Sequence, residues 1–181
     1  VVGAGGGGLW GTIALPATGK YYWEGTCSAG TCRYASWGIA HPNVNVHFGP
    51  NYRTIFYGGT LGQKWVDGGW SPYGAPFTTG DVIGVAVDMD AKTIEYFKNG
   101  TSQGVIANAN IEAGYLPHLW NVDGSVAQTV TANFGQQPWR FTPPSGFNAL
   151  SASNLPTPAI MKPEEHFDAM TYRGNGGGQQ M

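Results

Sequence analysis

The chain has 181 residues and a formal net charge of −2, and only 11% of its residues are charged while 13% are aromatic. Glycine (29) and proline (12) make up about 23% of it, yet disordered chains are poor in aromatics and rich in charge, the reverse of this composition. Nine Lys and Arg, scattered singly, give no basic stripe to track nucleic acid, and no run approaches the roughly 18 apolar residues of a membrane span.

The chain opens in a glycine run at Gly5 to Gly8, so residues 1–10 are expected to form a Gly-rich arm. With neither an initiator Met nor a signal-peptide pattern, a piece of a longer polypeptide is expected. Residues 19–25 (GKYYWEG) alternate, with Tyr21 and Trp23 on one face and Tyr22 and Glu24 on the other, which predicts a half-buried strand. A second strand is predicted over 34–40, joined to the first by a short hairpin loop around Ser28, Ala29 and Gly30. Residues 41–53 read as an irregular loop, 54–57 as a short strand, and 64–77 as an aromatic loop region. Residues 81–100 carry the clearest signal. A strand over 82–89 turns at Asp90-Ala91-Lys92, returns over 93–98, and closes at Asn99-Gly100, a dipeptide suited to the positive φ of tight hairpins. Further strands are predicted at 104–106, 115–120 and 126–134. Residues 148–163 hold several prolines and no periodicity, and read as an extended strap over the core or a linker. Residues 164–181 read as the start of another β module or a tail. The class is all-β, a sandwich with little or no helix.

Catalytic and metal chemistry find little support in these residues. Glycoside hydrolysis needs two carboxylates about 5 to 9.5 Å apart across a cleft. Asp88 and Asp90 lie two apart and could share a face, but they enter a turn, where Asp satisfies backbone groups. Glu95 is expected to pair with Lys92 or Lys98 at the surface. The histidines, His41, His47, His118 and His166, show no ligand spacing, and no serine lies in a G-x-S-x-G elbow. No catalytic residue, metal or cofactor is assigned. Cys27 and Cys32 flank the first hairpin loop, and both a bridge across it and two free thiols remain open.

The strand aromatics Tyr22 or Trp23, Trp37, Phe97, Trp120 and Phe134 are expected in the core. Trp65, Trp70, Tyr73 and Phe77 lie in a Gly/Pro-rich region, and Tyr52 and Arg53 end another loop. Exposed Trp, Tyr and Arg favour binding hot spots. Loop aromatics can equally fold back as a lid on the core, and both readings stand at this point.

The motifs GKYYWEG, YASWGIA, GDVIGVAVDMDAKTIEYFKNG, GYLPHLW and VTANFGQQPW, in that order over residues 11–147, closely resemble the SPRY domain. Its hallmarks are an early G-K-x-Y-x-E strand, a G-D-x-I-G-V-x-x-D strand with a Phe-x-Asn-Gly hairpin, a Leu-Pro segment and a late N-F-G. The resemblance implies a bent, concanavalin-like antiparallel β-sandwich of two sheets that binds partners through loops at one edge. Loops 41–53, 63–77 and 121–125 would be its counterparts, with Tyr52, Arg53, Trp65, Trp70, Tyr73, Asn121 and Asp123 as candidate contacts. The start shows no PRY extension, and the tail GFNALSASNLPTPAI resembles bacteriophage virion proteins. That likeness implies a non-enzymatic tail-fibre or capsid module on the virion surface, trimeric, contacting other virion proteins or a host receptor or glycan. The alternatives are a cellular SPRY adaptor that binds a peptide loop, and a lectin or glycoside hydrolase using Asp67, Asp88 or Asp90.

Overall fold

Side chains of a strand alternate between its two faces, and in this protein that alternation is used to cover both sides of a sheet at once. The computed structural model describes residues 7–29, 32, 35–42, 53–121 and 127–157. The first sheet is built from β1 (Gly7–Trp10), β3 (Ala35–Ala40), β4 (Thr54–Gly58), β5 (Gln63–Val66), β6 (Gly69–Pro72) and β10 (Leu116–Asn121), ordered β1-β10-β3-β4-β5-β6. The second holds β2 (Lys20–Ala29), β7 (Val82–Asp88), β8 (Thr93–Lys98), β9 (Thr101–Ala107) and β11 (Thr129–Asn133), ordered β11-β2-β7-β8-β9. A two-residue strand β12 (Asn148–Ala149) pairs in parallel with β2; every other pairing is antiparallel. This is the expected all-β sandwich.

Between the sheets lie Tyr21 and Trp23 of β2, Trp37 and Ile39 of β3, Ile55 and Tyr57 of β4, Val85 and Val87 of β7, and Ile94 and Tyr96 of β8. Burying each such side chain contributes about 2 kcal/mol. The Tyr96 hydroxyl crosses the core to donate to the Ile55 carbonyl at 3.0 Å, tying one sheet to the other.

The structure corrects three local expectations. β2 and β3 are not hairpin partners: β2 pairs with β7 and β11, whereas β3 pairs with β10 and β4 in the other sheet. The connection between them therefore crosses from sheet to sheet, and the disulfide joining Cys27 to Cys32 (Cα–Cα 5.7 Å) spans that crossing. Within the expected Gly-rich arm, residues 7–10 form β1, held by four pairs running from Gly7 with Asn121 to Trp10 with His118. Residues 63–72, expected as part of a loop region, form the β5–β6 hairpin, closed by Asp67 (φ 44°) and Gly68 (φ 102°). Two positive φ values in a two-residue loop match the twist of the flanking strands.

The outer face of the second sheet is covered by the chain's own C-terminal strap. Trp139 packs edge-on against Tyr22 at 5.1 Å, and the Glu24 carboxylate accepts hydrogen bonds from the backbone N–H groups of Arg140 (2.9 Å) and Phe141 (3.0 Å). Beyond β12, Leu150 is buried in the core and Leu155 packs against it. Residues 148–155 are thus laid on the sandwich rather than leading away from it, while residues 164–181 lie outside the described residues.

The turn after β7 is organised by Asp88. Its Oδ1 accepts the N–H groups of Asp90 (3.1 Å) and Ala91 (2.9 Å), and its Oδ2 meets the Lys20 ammonium at 2.9 Å. Burial alone would raise its pKa; the Lys20 contact and the two amides outweigh it and hold the carboxyl below its ordinary value. Its stabilising contribution is therefore complete above the ordinary carboxylate pKa of about 4 and is lost as the pH falls through the lowered folded value. Thermal melts of Asp88→Asn are expected to depend less on pH than wild type between about pH 4 and pH 2, and parallel curves would refute this role.

Candidate binding surface

The register of the first sheet aligns one residue from each strand. Trp10 lies opposite His118, His118 opposite Gly38, Gly38 opposite Phe56, Phe56 opposite Trp65, and Trp65 opposite Trp70. Their strand neighbours Leu119, Trp37, Ile39, Ile55 and Tyr57 enter the core, so alternation turns the side chains of this row to the outer face, while a Cβ at Gly38 would instead meet the Tyr96 hydroxyl of the core. Ring centroids lie 4.2 Å apart for Trp10 and His118, 5.3 Å for His118 and Phe56, 6.3 Å for Phe56 and Trp120, and 5.3 Å for Trp65 and Trp70. The middle of the row is buried, and the two ends are open: Trp10 and Trp70 are each 39% exposed.

Local chemistry fixes the open end formed by the β5–β6 hairpin. The Trp65 indole N–H donates to the Thr54 hydroxyl at 2.9 Å, which orients its ring, and Trp70 packs edge-on against that ring. Trp70 also leans over Gly58, where a Cβ would come within 2.9 Å of the indole. A rigid, half-exposed Trp pair buries much area on contact at little entropic cost, which is the property of a hot spot.

The other expected contact residues are placed differently. Arg53 pairs with Glu112 and lies over the Tyr115 ring at 5.7 Å, at the end of β4 where β3 finishes. Tyr73 turns inward, edge-on to Tyr57 and Tyr96, with its hydroxyl on the Gly104 carbonyl; burial pushes its phenol up to about 12. Phe77 joins the core, so of the four aromatics of this region Tyr73 and Phe77 act as a lid and Trp65 and Trp70 do not. Asn121 is buried at the end of β10 and accepts from the Gln128 amide at 3.0 Å. Tyr52 and Asp123 lie outside the described residues. The stretches 41–53 and 121–125 also start from opposite ends of the sheet, because Ala40 pairs with Thr54 and Leu116 while Asn121 pairs with Ala35. Loops at a single edge are therefore not what positions the row. Sequence reading missed Trp10, taken as arm, and His118, placed in the 115–120 strand but given no role; only the β1–β10–β3 register reveals them.

The carboxylates weighed for catalysis hold structure. Asp90 accepts the Gly19 N–H, Asp67 accepts from the Asn108 (2.7 Å) and Asn110 (3.0 Å) amides, and Glu95 is bonded to the Ser102 hydroxyl rather than to a lysine. Among the described residues no group of three or more His, Cys, Asp or Glu is placed to hold a metal ion, and no helix is long and apolar enough to cross a membrane.

Comparison with known proteins gives the family. A family model described as SPRY domain matches residues 20–137. The chain is 38% identical over 137 residues to Ran-binding protein 10 of Danio rerio, covering 72% of this chain and 22% of that protein. It is 37% identical to Ran-binding protein 9 of Homo sapiens, covering 72% and 18%. A helicase, ATP-dependent RNA helicase DDX1 of Xenopus laevis, is 30% identical over 140 residues, 74% of this chain and 17% of its own length. The chain thus spans about a fifth of the length of these relatives. Among solved structures, the SPRY domain of human HERC1 superposes with a TM-score of 0.65 at 20% identity, covering 75% of this chain and 87% of that one. These relatives overturn the expectation of a bacteriophage virion module, and with it the virion location, the fibre trimer, and the virion, host-receptor and glycan partners. The tail that suggested a virion protein has a simpler physical role: Leu150 and Leu155 pack on the core, and Asn154 bonds the Ala149 carbonyl at 3.0 Å.

Proposed function

This chain belongs to the SPRY domain family, and from that membership we propose that it is a non-enzymatic module that binds a segment of another protein, as a cellular adaptor does. The observation that carries this reading is the Trp65–Trp70 pair, held rigid on the outer sheet face with Trp70 open to solvent. Mechanism is then burial of the indole faces by an apolar segment of the partner, with hydrogen bonds around them from a surface of low charge. Arg53 is pre-oriented by Glu112 and Tyr115 at the end of β4 in the same sheet. Relatives at 37–38% identity are named for binding Ran, so Ran is the first protein to offer this surface.

The test is a titration against Ran and a selection from a displayed random-peptide library. Trp70→Ala is expected to weaken the selected binders about 30-fold, near 2 kcal/mol, while the half-exposed position leaves the melting temperature within about 2 °C. Binders indifferent to Trp70→Ala and Trp65→Ala would sink the assignment of this surface. Release of reducing sugar from an oligosaccharide panel would instead revive the hydrolase reading.

A further inference from the structure

The Asn99-Gly100 turn between β8 and β9 is exposed, and Asn-Gly is the residue pair most prone to lose its side-chain amide. With no side chain on the glycine, its backbone nitrogen reaches the preceding side-chain carbonyl carbon unhindered. Attack of the Gly100 nitrogen on Asn99 Cγ forms a five-membered succinimide and breaks the Cγ–Nδ2 bond. The Gly100 proton leaves with the amide nitrogen as ammonia. Water then opens the ring. Cleavage at Cγ returns the original backbone with an aspartate, and cleavage at the backbone carbonyl reroutes the chain through the side chain as isoaspartate. The fold cannot avoid this dipeptide by changing its second member. Gly100 has φ 79°, and a Cβ there would come within 2.7 Å of the Phe141 ring.

Side-chain placement holds the reaction shut. Asn99 Oδ1 accepts the Val82 N–H at 2.9 Å, and its Nδ2 donates to Asp81 Oδ1 at 2.7 Å. The Asn99 N–H donates in turn to the Val82 carbonyl at 2.8 Å, so the side chain continues the β7–β8 ladder beyond the Ile83 and Lys98 pair. The amide is thus fixed on the β7 side of β8, whereas Gly100 leads into β9 on the other side. Bringing Cγ to the Gly100 nitrogen swings the amide away from β7 and breaks both side-chain bonds. Asp81 is itself held: its Oδ2 accepts the Thr78 N–H at 2.9 Å and meets the Lys98 ammonium at 3.5 Å. We propose that Asn99-Gly100 is a deamidation site that the folded protein keeps closed through Asp81 and Val82, and that opening of this end of the β7–β8 ladder exposes it. The product is not silent, because a carboxylate oxygen replaces the donor Nδ2 and faces the Asp81 carboxylate. A chain that has opened long enough to react therefore refolds with a weaker turn, and the change records past unfolding. The site lies on the second sheet, away from Trp65 and Trp70 on the first, so it does not rest on the proposed partner surface.

Peptide mapping by mass spectrometry tests it on the full chain, held in mildly alkaline buffer either native or in guanidinium chloride. The peptide carrying Asn99 is expected to deamidate about a hundredfold more slowly in the native protein than in denaturant. Asn175-Gly176, the other Asn-Gly pair of the sequence, is mapped as a separate peptide so that its reaction is not counted. A native rate within about tenfold of the denatured rate overturns the proposal, since the fold would then offer no guard. Asp81→Ala removes the acceptor of Nδ2 and is expected to raise the native rate about tenfold; an unchanged rate overturns the role given to Asp81. The native and denatured wild-type rates need no variant, so the proposal stays open to refutation even if Asp81→Ala does not fold. Asn99→Asp carries the aspartate product at this position alone and is expected to melt about 5 °C below wild type. Equal melting of the two would overturn the claim that the reaction weakens the turn.

Discussion

Replacing Glu24 by Ala is expected to lower the free energy of unfolding by about 4 kcal/mol, a large share of the roughly 5 to 15 kcal/mol available to a domain. Glu24 is 2% exposed, and its two oxygens accept from Arg140 N–H, Phe141 N–H and the Tyr22 hydroxyl at 2.9, 3.0 and 3.2 Å. Burial, together with the neighbouring carboxylate, pushes the Tyr22 phenol far above its ordinary value, so it remains a donor across the accessible pH range. Hydrogen bonds to a charged acceptor are worth about 1.5 to 3 kcal/mol each, and donors left unpaired under the strap cost more than donors returned to water. The substitution thus acts on one carboxylate but releases the strap, and with it the cover over β2. Urea denaturation followed by tryptophan fluorescence would measure the loss, since Trp139 leaves Tyr22 when the strap detaches. Glu24→Gln keeps one acceptor oxygen and is expected to lose about half as much. A loss below about 1 kcal/mol for Glu24→Ala would show that the strap is held by its ring contacts alone.

Gly38→Ala is expected to cost about 3 kcal/mol, seen as a fall of about 10 °C in melting temperature. A Cβ there would sit 1.9 Å from the Ile55 carbonyl oxygen and 2.8 Å from the Tyr96 hydroxyl. The first obstacle is backbone, in a strand flanked by β10 and β4, so neither side can give without breaking ladder bonds. The second is the donor that links the sheets, which the methyl group would push off its acceptor. Gly69→Ala is the control, because a Cβ there meets nothing within 4 Å; its melting temperature is expected to stay within about 2 °C of wild type. Equal behaviour of the two variants would contradict the packing described for β3.

These two residues also show what the sequence makes readable and what it conceals. The GKYYWEG segment announces a strand because Tyr21 and Trp23 alternate with Tyr22 and Glu24, and β2 has those faces. Nothing in the segment says that Glu24 is a latch, since its partners lie more than a hundred residues away in a stretch with no periodicity. The β7–β8–β9 meander is legible for the opposite reason: its pairings are local, and Asn99 (φ 48°) and Gly100 (φ 79°) adopt the positive-φ turn that these two residue types tolerate best. The Asp67-Gly68 turn carries the same kind of signal, but four-residue strands containing Trp and Pro hide it. β1 has no nearby partner at all, so its glycines read as an arm. For the candidate surface, residue type was readable and direction was not. Trp65, Trp70, Tyr73 and Phe77 are alike as a string, and only the register sends two outward and two inward.

The seating of residues 148–155 on the sandwich has one more consequence. Thr12 and Ile13, met early on the way from β1 to β2, face the same space as Leu150 and Ser151, met after the last strand. The stretch from β2 to β12 is therefore entered and left at neighbouring points, like a loop of rope gathered in one hand, with β1 standing before the entry. Such a unit can be spliced into an exposed turn of a host polypeptide without prising the host apart, because the two splice points need to be only a short distance from each other. In relatives where the matched region makes up about a fifth of the length, this arrangement would let the sandwich sit as an inserted cassette as readily as at either end.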